Sequence, residues 1–253
     1  MDILVTNDDG IDSPGLHNLA NAFREIGNVH VVAPAKQQSA VSHALTIEYP
    51  LRISSYHLNG SRFGTAVYGT PSDCVKLAIA NLLDKKPDLV VSGVNFGRNT
   101  SINILYSGTV AAATEGMLIG IPSIAVSVNS HSRKADTNAS AKYATLIAKE
   151  IITNTIFQGS LININVPDLP ESEIKGIKIT RPSNATWKDW YEKRQDPFER
   201  DYYWFSGEYL VTEEDLETDD YALTQGYVSV SPIKLKLTES DLIEVLKRNK
   251  TLK

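Results

Sequence analysis

The sequence MDILVTNDDGIDSPG, residues 1–15, contains both the first predicted strand of the chain and an unusual pair of acidic residues. Residues 3–5 form a short apolar run that predicts a buried strand. Ser13 and Pro14 then predict a helix start, because serine caps helices and proline is favoured at the first helical position. Between the two elements lie Asp8 and Asp9, whose adjacent carboxylates repel each other. The strand therefore ends at two like charges that need a compensating partner.

Strand and helix patterns alternate over the first two thirds of the chain. Apolar or alternating runs predict strands within residues 45–68 and at residues 29–33, 88–92, 122–128 and 161–166. Helical spacing of apolar residues predicts helices at about residues 14–26, 70–83, 109–118 and 136–153. At the start of the second, Thr70 and Asp73 have the spacing of a capping box. This alternation indicates an α/β fold whose sheet is mostly parallel, with helices on both of its faces.

The character of the sequence changes after about residue 175. Residues 187–209 are dense in aromatic and charged side chains with little periodicity, and an acidic run follows at 213–220. We interpret residues 181–253 as an appended arm or hairpin region and not as an independent domain. The whole chain, 1–253, is then one domain with an α/β core at about 1–180. Exposed aromatic residues on such arms often pack against another subunit.

Composition excludes several classes of function. The 253 residues carry a formal net charge of −5, which disfavours general binding to a nucleic-acid polymer or a membrane surface. Cys74 is the only cysteine, so neither an intrachain disulfide nor a cysteine-rich zinc site is possible. The N-terminus lacks the basic and apolar regions of a secretory signal, and no apolar run approaches the roughly 20 residues of a membrane span. We therefore expect a cytoplasmic protein.

The loops that follow the predicted strands are polar, small and acidic. Because ligands of open parallel sheets bind beyond the carboxyl ends of the strands, these loops are the expected site. They comprise residues 7–10, 34–40 and 93–99, together with the helix starts at 69–73 and 106–109. Such a gathering of polar residues at one edge of the sheet is typical of an active site.

The acid pair of Asp8 and Asp9 predicts a cation site. An Asp-Asp-Gly sequence is often no more than a turn. This pair, however, ends a strand expected to be central, where desolvation makes two like charges costly, and a divalent cation is the simplest compensation. The nearby carboxylates, amides and hydroxyls favour Mg²⁺, Mn²⁺ or Ca²⁺ over Zn²⁺ or Cu²⁺. His43, just beyond the loop at 34–40, is the one histidine near these loops. A lone histidine is more often a hydrogen-bonded structural residue than a ligand, so we interpret His43 as a residue that could support the site from behind the ligands.

A second candidate feature is the sequence Ser107-Gly108-Thr109 before a predicted helix. A helix N-terminus with free hydroxyl groups binds phosphate well, although ordinary helix capping would use the same residues. The sequence around Ser107 lacks the G-x-S-x-G pattern of a serine hydrolase. The local sequence leaves phosphate binding and capping equally open.

Six segments occur in order along nearly the whole chain: VTNDDGIDSPG at 5–15, APAKQQSA at 33–40, YGTPSDCV at 68–75, DLVVSGVNFG at 88–97, YSGTVAAA at 106–113 and GYVSVSP at 226–232. Together they closely resemble the motifs of the SurE (survival protein E) family. The resemblance implies a metal-dependent 5′-nucleotidase that hydrolyses nucleoside monophosphates to nucleoside and phosphate. Some members of the family also accept 3′-nucleotides or short polyphosphate.

The resemblance also implies a fold, a metal site and an assembly. The fold is a Rossmann-like α/β core with a C-terminal extension that forms homodimers or homotetramers. One divalent cation, Mg²⁺ or Mn²⁺, is expected to be held by the four residues that match the family's ligands, Asp8, Asp9, Ser39 and Asn95. All four lie in the strand-end loops described above.

Our mechanistic hypothesis is hydrolysis of a phosphomonoester by a water that the cation activates. Asp8 or Asp9 would accept a proton from this water, and the sequence does not decide between them. Asn99, Ser107 and Thr109 are the candidates for binding the phosphate oxygens, assisted by the dipole of the helix after Ser107.

Two alternatives fit the sequence less well. A haloacid-dehalogenase-like phosphatase carries D-x-D-G-T after its first strand, whereas Asn7 stands here in place of the nucleophilic aspartate. A non-catalytic metal or nucleotide sensor of the receiver type needs a phospho-acceptor aspartate at the end of a middle strand. That place holds Ser92-Gly93-Val94-Asn95 in this chain, which is also about twice as long as a receiver.

Overall fold

The computed structural model describes residues 1–248. In this part of the chain the strands are β1 (Asp2–Thr6), β2 (Asn28–Pro34), β3 (Ile53–Leu58), β4 (Ser61–Val67), β5 (Leu89–Phe96), β6 (Ser123–Val128), β7 (Leu161–Val166), β8 (Ile177–Ile179), β9 (Thr186–Gln195), β10 (Asp201–Leu210) and β11 (Val228–Ile233). The α-helices are α1 (Pro14–Arg24), α2 (Pro71–Leu77), α3 (Gly108–Leu118), α4 (Asn138–Thr153), α5 (Asp219–Thr224) and α6 (Ser240–Arg248).

Nine strands form one mixed sheet in the order β3-β4-β2-β1-β5-β6-β7-β11-β8. The six neighbouring strands from β4 to β7 are parallel, which confirms the predicted α/β fold. The chain moves from β1 to β2 on one side of the sheet and later from β5 to β7 on the other. The carboxyl ends of β1 and β5 therefore flank a topological switch point, where ligands of such sheets bind.

Consecutive residues of β1 face opposite helical layers. Ile3 and Val5 pack in a cluster with Leu16 of α1, and this cluster also includes residues of α4. Leu4 packs in a second cluster with Val75 of α2, which also includes a residue of α3. Because side chains alternate across a strand, a short run of apolar residues fills both layers and buries the strand on both faces.

The start of α2 follows the predicted capping pattern and also secures a distant loop. The hydroxyl of Thr70 accepts a hydrogen bond from the Asp73 N–H at 3.1 Å, and the Asp73 carboxylate accepts one from the Thr70 N–H at 2.9 Å. The same carboxylate accepts a hydrogen bond from the Thr46 N–H at 3.0 Å. Residues 45–48, which the sequence indicated as extended, therefore form a loop. The predicted helix at 70–83 is α-helical only to Leu77 and continues as a π-helix over Ala78–Leu82.

The C-terminal region differs from the expected arm in one respect. Strand β11 lies between β7 and β8 in the main sheet, so the sheet includes a strand from beyond residue 180. Its buried Val228 and Val230 alternate with Ser229 and Ser231, and both serine hydroxyls hydrogen-bond the hydroxyl of Thr180. The valine side chains of this strand are buried on one face, and the serine hydroxyls on the other face have a hydrogen-bond partner in Thr180.

The aromatic stretch forms a separate antiparallel hairpin of β9 and β10. All residues of β9 and most residues of β10 are exposed. Neither face is fixed against the core, which explains why the sequence shows little period-two alternation there.

We predict that Gly15→Ala destabilises the protein although alanine favours helices over glycine by about 1 kcal/mol. An added Cβ at Gly15 would lie 2.4 Å from the carbonyl oxygen of Val94, so α1 must move away from β5. The free energy of unfolding, measured with urea, should fall by about 1–3 kcal/mol. Asn21→Ala, at an exposed position of the same helix, is the control and should have little effect. Equal stability of the two variants would contradict the prediction.

Candidate active site

The acid pair lies at the carboxyl end of β1 in a turn closed by its own residues. The Asn7 side-chain amide donates a hydrogen bond to the Gly10 carbonyl at 2.9 Å. Gly10 has a φ of +97°, and a Cβ there would lie 3.2 Å from the Gln37 backbone nitrogen, so the position requires glycine. This turn leaves Asp8 only 7% exposed and Asp9 only 5% exposed.

Asp8 is held by the first turn of α3. One carboxylate oxygen, Oδ1, accepts a hydrogen bond from the Thr109 hydroxyl. Gly108 permits this approach, because a Cβ there would lie 2.9 Å from the Cβ of Asp8. Burial raises the pKa of Asp8 to about 6, while the Thr109 hydrogen bond opposes the rise and the nearby Asp9 charge adds to it.

Asp9 is held by β5 and by the loop after β2. Its Oδ2 accepts a hydrogen bond from the Phe96 N–H at 3.2 Å, and its Oδ1 accepts one from the Gln37 amide at 3.3 Å. Burial raises the pKa of Asp9, although the Phe96 N–H and the charge of Arg133 act in the opposite direction. Both carboxylates are therefore costly to ionise in the protein alone.

The two other predicted metal ligands come from the loop after β2 and from the end of β5. Ser39 accepts a hydrogen bond from the same Gln37 amide at 2.9 Å, so Gln37 connects Ser39 with Asp9. Asn95 follows an irregularity in the pairing of β5 with β6. Its Nδ2 donates to the Gly97 carbonyl at 2.6 Å, so Oδ1 is the atom available as a ligand.

A cavity of about 690 Å³ opens at this edge of the sheet. Its wall contains five of the seven predicted site residues, namely Asp8, Ser39, Asn95, Asn99 and Ser107. Asp9 and Thr109 do not line the cavity, but each hydrogen-bonds a residue that does. Asp9 accepts from the Phe96 N–H, and the Thr109 hydroxyl donates to Asp8. The lining also includes the aromatic residues Phe96, Tyr106, Trp187, Phe205 and Tyr209.

The three predicted phosphate-binding residues also have structural partners. The Ser107 side chain accepts a hydrogen bond from the Val110 N–H at 3.1 Å and so caps α3. Thr109 donates to Asp8, and the Asn99 amide donates to the Ser127 hydroxyl at 2.9 Å. These contacts fix all three at the cavity or directly behind it, and their roles toward substrate stay predictions.

A second buried acid pair, Asp219 and Asp220, lies at the start of α5 and was not predicted from the sequence. Asp219 accepts hydrogen bonds from the N–H groups of Ser101 at 2.8 Å and Ser183 at 2.9 Å. Asp220 accepts hydrogen bonds from the Ser183 hydroxyl at 2.6 Å and the Tyr209 hydroxyl at 2.8 Å. The pair lies at the end of an acidic run, which is typical of an exposed segment. The one available signal was the apolar residues that follow, since they indicate a helix whose first two residues are these aspartates.

Arg98 connects this second acid pair to the cavity wall. Its Nε lies 3.7 Å from an Asp220 carboxylate oxygen, and its guanidinium lies 4.7 Å above the Tyr209 ring. The base of the hairpin and the segment after β5 are thereby joined through one charged group. The chemical contrast with the first pair is that a cationic side chain compensates Asp220.

The residue types of the site suit an oxygen-bound cation. Over residues 1–248 no group of three or more histidine, cysteine, aspartate and glutamate side chains could hold a metal. The candidate site therefore combines two carboxylates with neutral oxygen donors, as Mg²⁺ and Mn²⁺ accept. In the same part of the chain, no helix has the length and apolar character needed to cross a membrane.

We predict that Thr109→Val lowers the free energy of unfolding by about 1–3 kcal/mol, because a buried carboxylate oxygen of Asp8 loses its donor. Chemical denaturation in EDTA measures this effect without interference from metal. Thr109→Ser retains a hydroxyl and is the control, which should recover most of the loss. A Thr109→Val protein as stable as the parent would show that this hydrogen bond contributes little.

Comparisons with known proteins identify the family of the chain. The family model described as "Survival protein SurE" matches residues 3–189. The "5'-nucleotidase SurE" of Chlorobium phaeobacteroides is 44% identical over 246 residues, which cover 97% of this chain and 95% of that protein. The "5'-nucleotidase SurE" of Nitratidesulfovibrio vulgaris is 44% identical over 251 residues, covering 98% and 92% respectively.

The fold comparison leads to the same family. The crystal structure of the SurE protein from Aquifex aeolicus superposes with a TM-score of 0.84 at 38% sequence identity, covering 98% of each chain. Sequence match and structural likeness both extend over nearly the whole chain, including the loops that carry the acid pair and its partners. This chain belongs to the SurE family.

Proposed function

We propose that this protein is a divalent-metal-dependent nucleotidase that hydrolyses nucleoside 5′-monophosphates to nucleoside and phosphate. The observation that carries the proposal is the buried pair of Asp8 and Asp9 at the switch point of the sheet, beside a cavity lined by both polar and aromatic side chains. The curated relatives named 5'-nucleotidase SurE support this reaction.

Asp8, Asp9, Ser39 and Asn95 would hold the cation, Mg²⁺ or Mn²⁺. The donor set fits, because it consists of oxygen atoms and includes two carboxylates. Charge fits as well: among residues 1–248 no lysine, arginine or histidine forms an ion pair with Asp8 or Asp9. The nearby Arg133 donates to the backbone carbonyl of Asp9 and not to its carboxylate. Two buried carboxylates without an ion-paired side chain are the environment that a divalent ion compensates.

When bound, the cation supplies charge neutralisation for the phosphate oxygens and makes a water molecule more acidic. The protein's part is to orient its own groups. Thr109 fixes Asp8 through Oδ1, and Phe96 and Gln37 fix both oxygens of Asp9. Acceptance of a proton by Asp8 or Asp9 remains part of the proposal.

The cavity suits a nucleoside monophosphate in its volume and in the residues that line it. Its volume of about 690 Å³ lies in the range of small-molecule sites. The phosphate would lie near the acid pair at the N-terminus of α3, where Ser107 and the helix dipole favour an anion. Asn99 also lines the cavity. The aromatic rings of Trp187, Phe205 and Tyr209 offer stacking surfaces for a nucleobase.

Action on 3′-monophosphates or short polyphosphate is a further part of the proposal, and a substrate panel decides it. A phospho-enzyme mechanism of the haloacid-dehalogenase type is disfavoured, because the Asn7 amide closes the turn and no carboxylate stands at that position. Inversion of configuration at phosphorus would support direct hydrolysis, because a covalent phospho-enzyme intermediate would require two displacements and give retention. A cytoplasmic location stays a prediction from the sequence.

We further propose that the segment from residue 181 onward forms a homodimer or homotetramer. Many large apolar side chains of the hairpin are exposed, including Trp190, Tyr191, Tyr203, Trp204 and Phe205. Helix α6 adds the exposed Leu242, Val245 and Leu246. Exposed apolar area of this extent on a projecting element is typical of a surface that another subunit covers.

We predict that Asn95→Ala lowers kcat/KM for nucleoside monophosphates at least about 100-fold at a fixed Mn²⁺ concentration, because a metal ligand is lost. Phosphate release from 5′- and 3′-nucleotides and from polyphosphate measures the rate, with Mn²⁺, Mg²⁺ or EDTA. Asn21→Ala, the same substitution on the exposed face of α1, is the control. Full activity of Asn95→Ala, or full activity of the parent in EDTA, would contradict the proposed function.

We predict that Trp204→Glu converts the assembly to a smaller species, because a charge on the exposed face of β10 cannot be buried against another subunit. Light scattering coupled to size-exclusion chromatography measures the mass. Lys149→Glu, an exposed charge change on α4, should leave the mass unchanged. A monomeric parent protein would refute the proposed assembly.

A further inference from the structure

The loop that carries Ser39 has a conformation that its own sequence does not favour. This loop, residues 35–50 and here termed the Ser39 loop, contains no helix or strand. Ala40 and Ser42 both have a φ of +54°, in the left-handed region that costs a non-glycine residue on the order of 1 kcal/mol or more. Contacts with other elements must therefore hold the loop in place.

Two of these contacts are hydrogen bonds to neighbouring loops. The Ser42 hydroxyl donates to the Leu105 carbonyl at 2.6 Å, and the Ser42 N–H donates to the Tyr106 carbonyl at 3.2 Å. Farther along, the Thr70 hydroxyl donates to the Ala44 carbonyl at 2.8 Å. These bonds use backbone atoms or small hydroxyl groups. The Gln38 N–H donates to the Asp8 carbonyl at 2.7 Å, and the Thr46 N–H donates to Asp73.

A further contact joins the Ser39 loop to a buried carboxylate on α3. His43 Nε2 lies 2.7 Å from Oε1 of Glu115, which is only 6% exposed. The other carboxylate oxygen lies 3.4 Å from Nζ of Lys76 on α2. Burial raises the pKa of Glu115, but the His43 hydrogen bond and the Lys76 charge outweigh it, so the net shift is downward. A buried glutamate thus has one loop partner and one helix partner, and neither lines the cavity.

We propose that His43 and Glu115 are positioning residues that fasten the Ser39 loop to α3 and so keep Ser39 beside the acid pair. The same helix holds Asp8 through Thr109, so α3 fixes a candidate ligand at its first turn and the loop of another farther along. The inference rests on the proposed metal site. It assigns to His43 a role that does not involve contact with metal or substrate.

The primary test is His43→Ala, because His43 is partly exposed and its removal leaves the core intact. We expect Mn²⁺ to bind at least about tenfold more weakly, as measured by titration calorimetry on the purified protein. Amide hydrogen exchange of residues 36–46 should become faster whether or not metal is present. At saturating Mn²⁺, kcat should return close to the parent value, because the cavity wall itself is unchanged.

Further variants distinguish the His43–Glu115 contact, here termed the tether, from a general effect on stability. Lys76→Gln removes the other partner of Glu115 without cutting the tether, and should leave Mn²⁺ affinity within about twofold. His43→Gln can still donate to Glu115 and should restore most of the affinity. The double variant His43→Ala/Glu115→Gln is compared with His43→Ala and Glu115→Gln alone. It should bind Mn²⁺ no more weakly than whichever of these two single variants binds it more weakly, because both changes remove the same interaction.

The outcomes distinguish this inference from the proposed function. If the parent binds Mn²⁺ and His43→Ala binds it equally well, or if exchange in the Ser39 loop is unchanged, the positioning role is overturned alone. Equal losses in Lys76→Gln and His43→Ala would overturn it too, since they indicate an effect of Glu115 charge and not of the tether. Failure of the parent to bind Mn²⁺ would overturn the proposed metal site and the positioning role with it.

Discussion

The interaction on which the site depends is the repulsion between two buried carboxylates at the end of β1. Asp8 and Asp9 receive donors from α3, from the backbone of β5 and from Gln37 in the Ser39 loop. Each donor belongs to a different segment, so partial compensation of the charge also fixes these segments around the pair. The charge that remains uncompensated is the physical reason to expect a cation.

A comparison with the second acid pair sharpens this interpretation. Asp219 and Asp220 are fully buried, yet N–H groups, hydroxyl groups and the guanidinium of Arg98 surround them. Their role is to join α5, the base of the hairpin and the segment after β5. Two adjacent aspartates thus have a structural role where the chain supplies an ion-paired guanidinium as well as hydrogen-bond donors, and a candidate metal-binding role where no side chain forms an ion pair with them.

Much of the core was predictable because burial imposes local periodicity. The parallel strands, the capping box at Thr70 and the approximate limits of α1, α3 and α4 follow from patterns within about a dozen neighbouring residues. The polar loops were assigned to one edge of the sheet for the same reason. The partners of Thr109 and of Asp219 were not predictable, because each contact joins residues far apart in the sequence.

The sequence by itself determined the α/β class, the acid pair and the oxygen-donor chemistry of its surroundings. Only the tertiary structure decided that β11 enters the main sheet, which residues pair in the hairpin of β9 and β10, and that His43 contacts Glu115 on α3. The physical reason is that local patterns record which face of an element is buried. They do not record which distant group will lie against it, and that choice is made by packing of the complete chain.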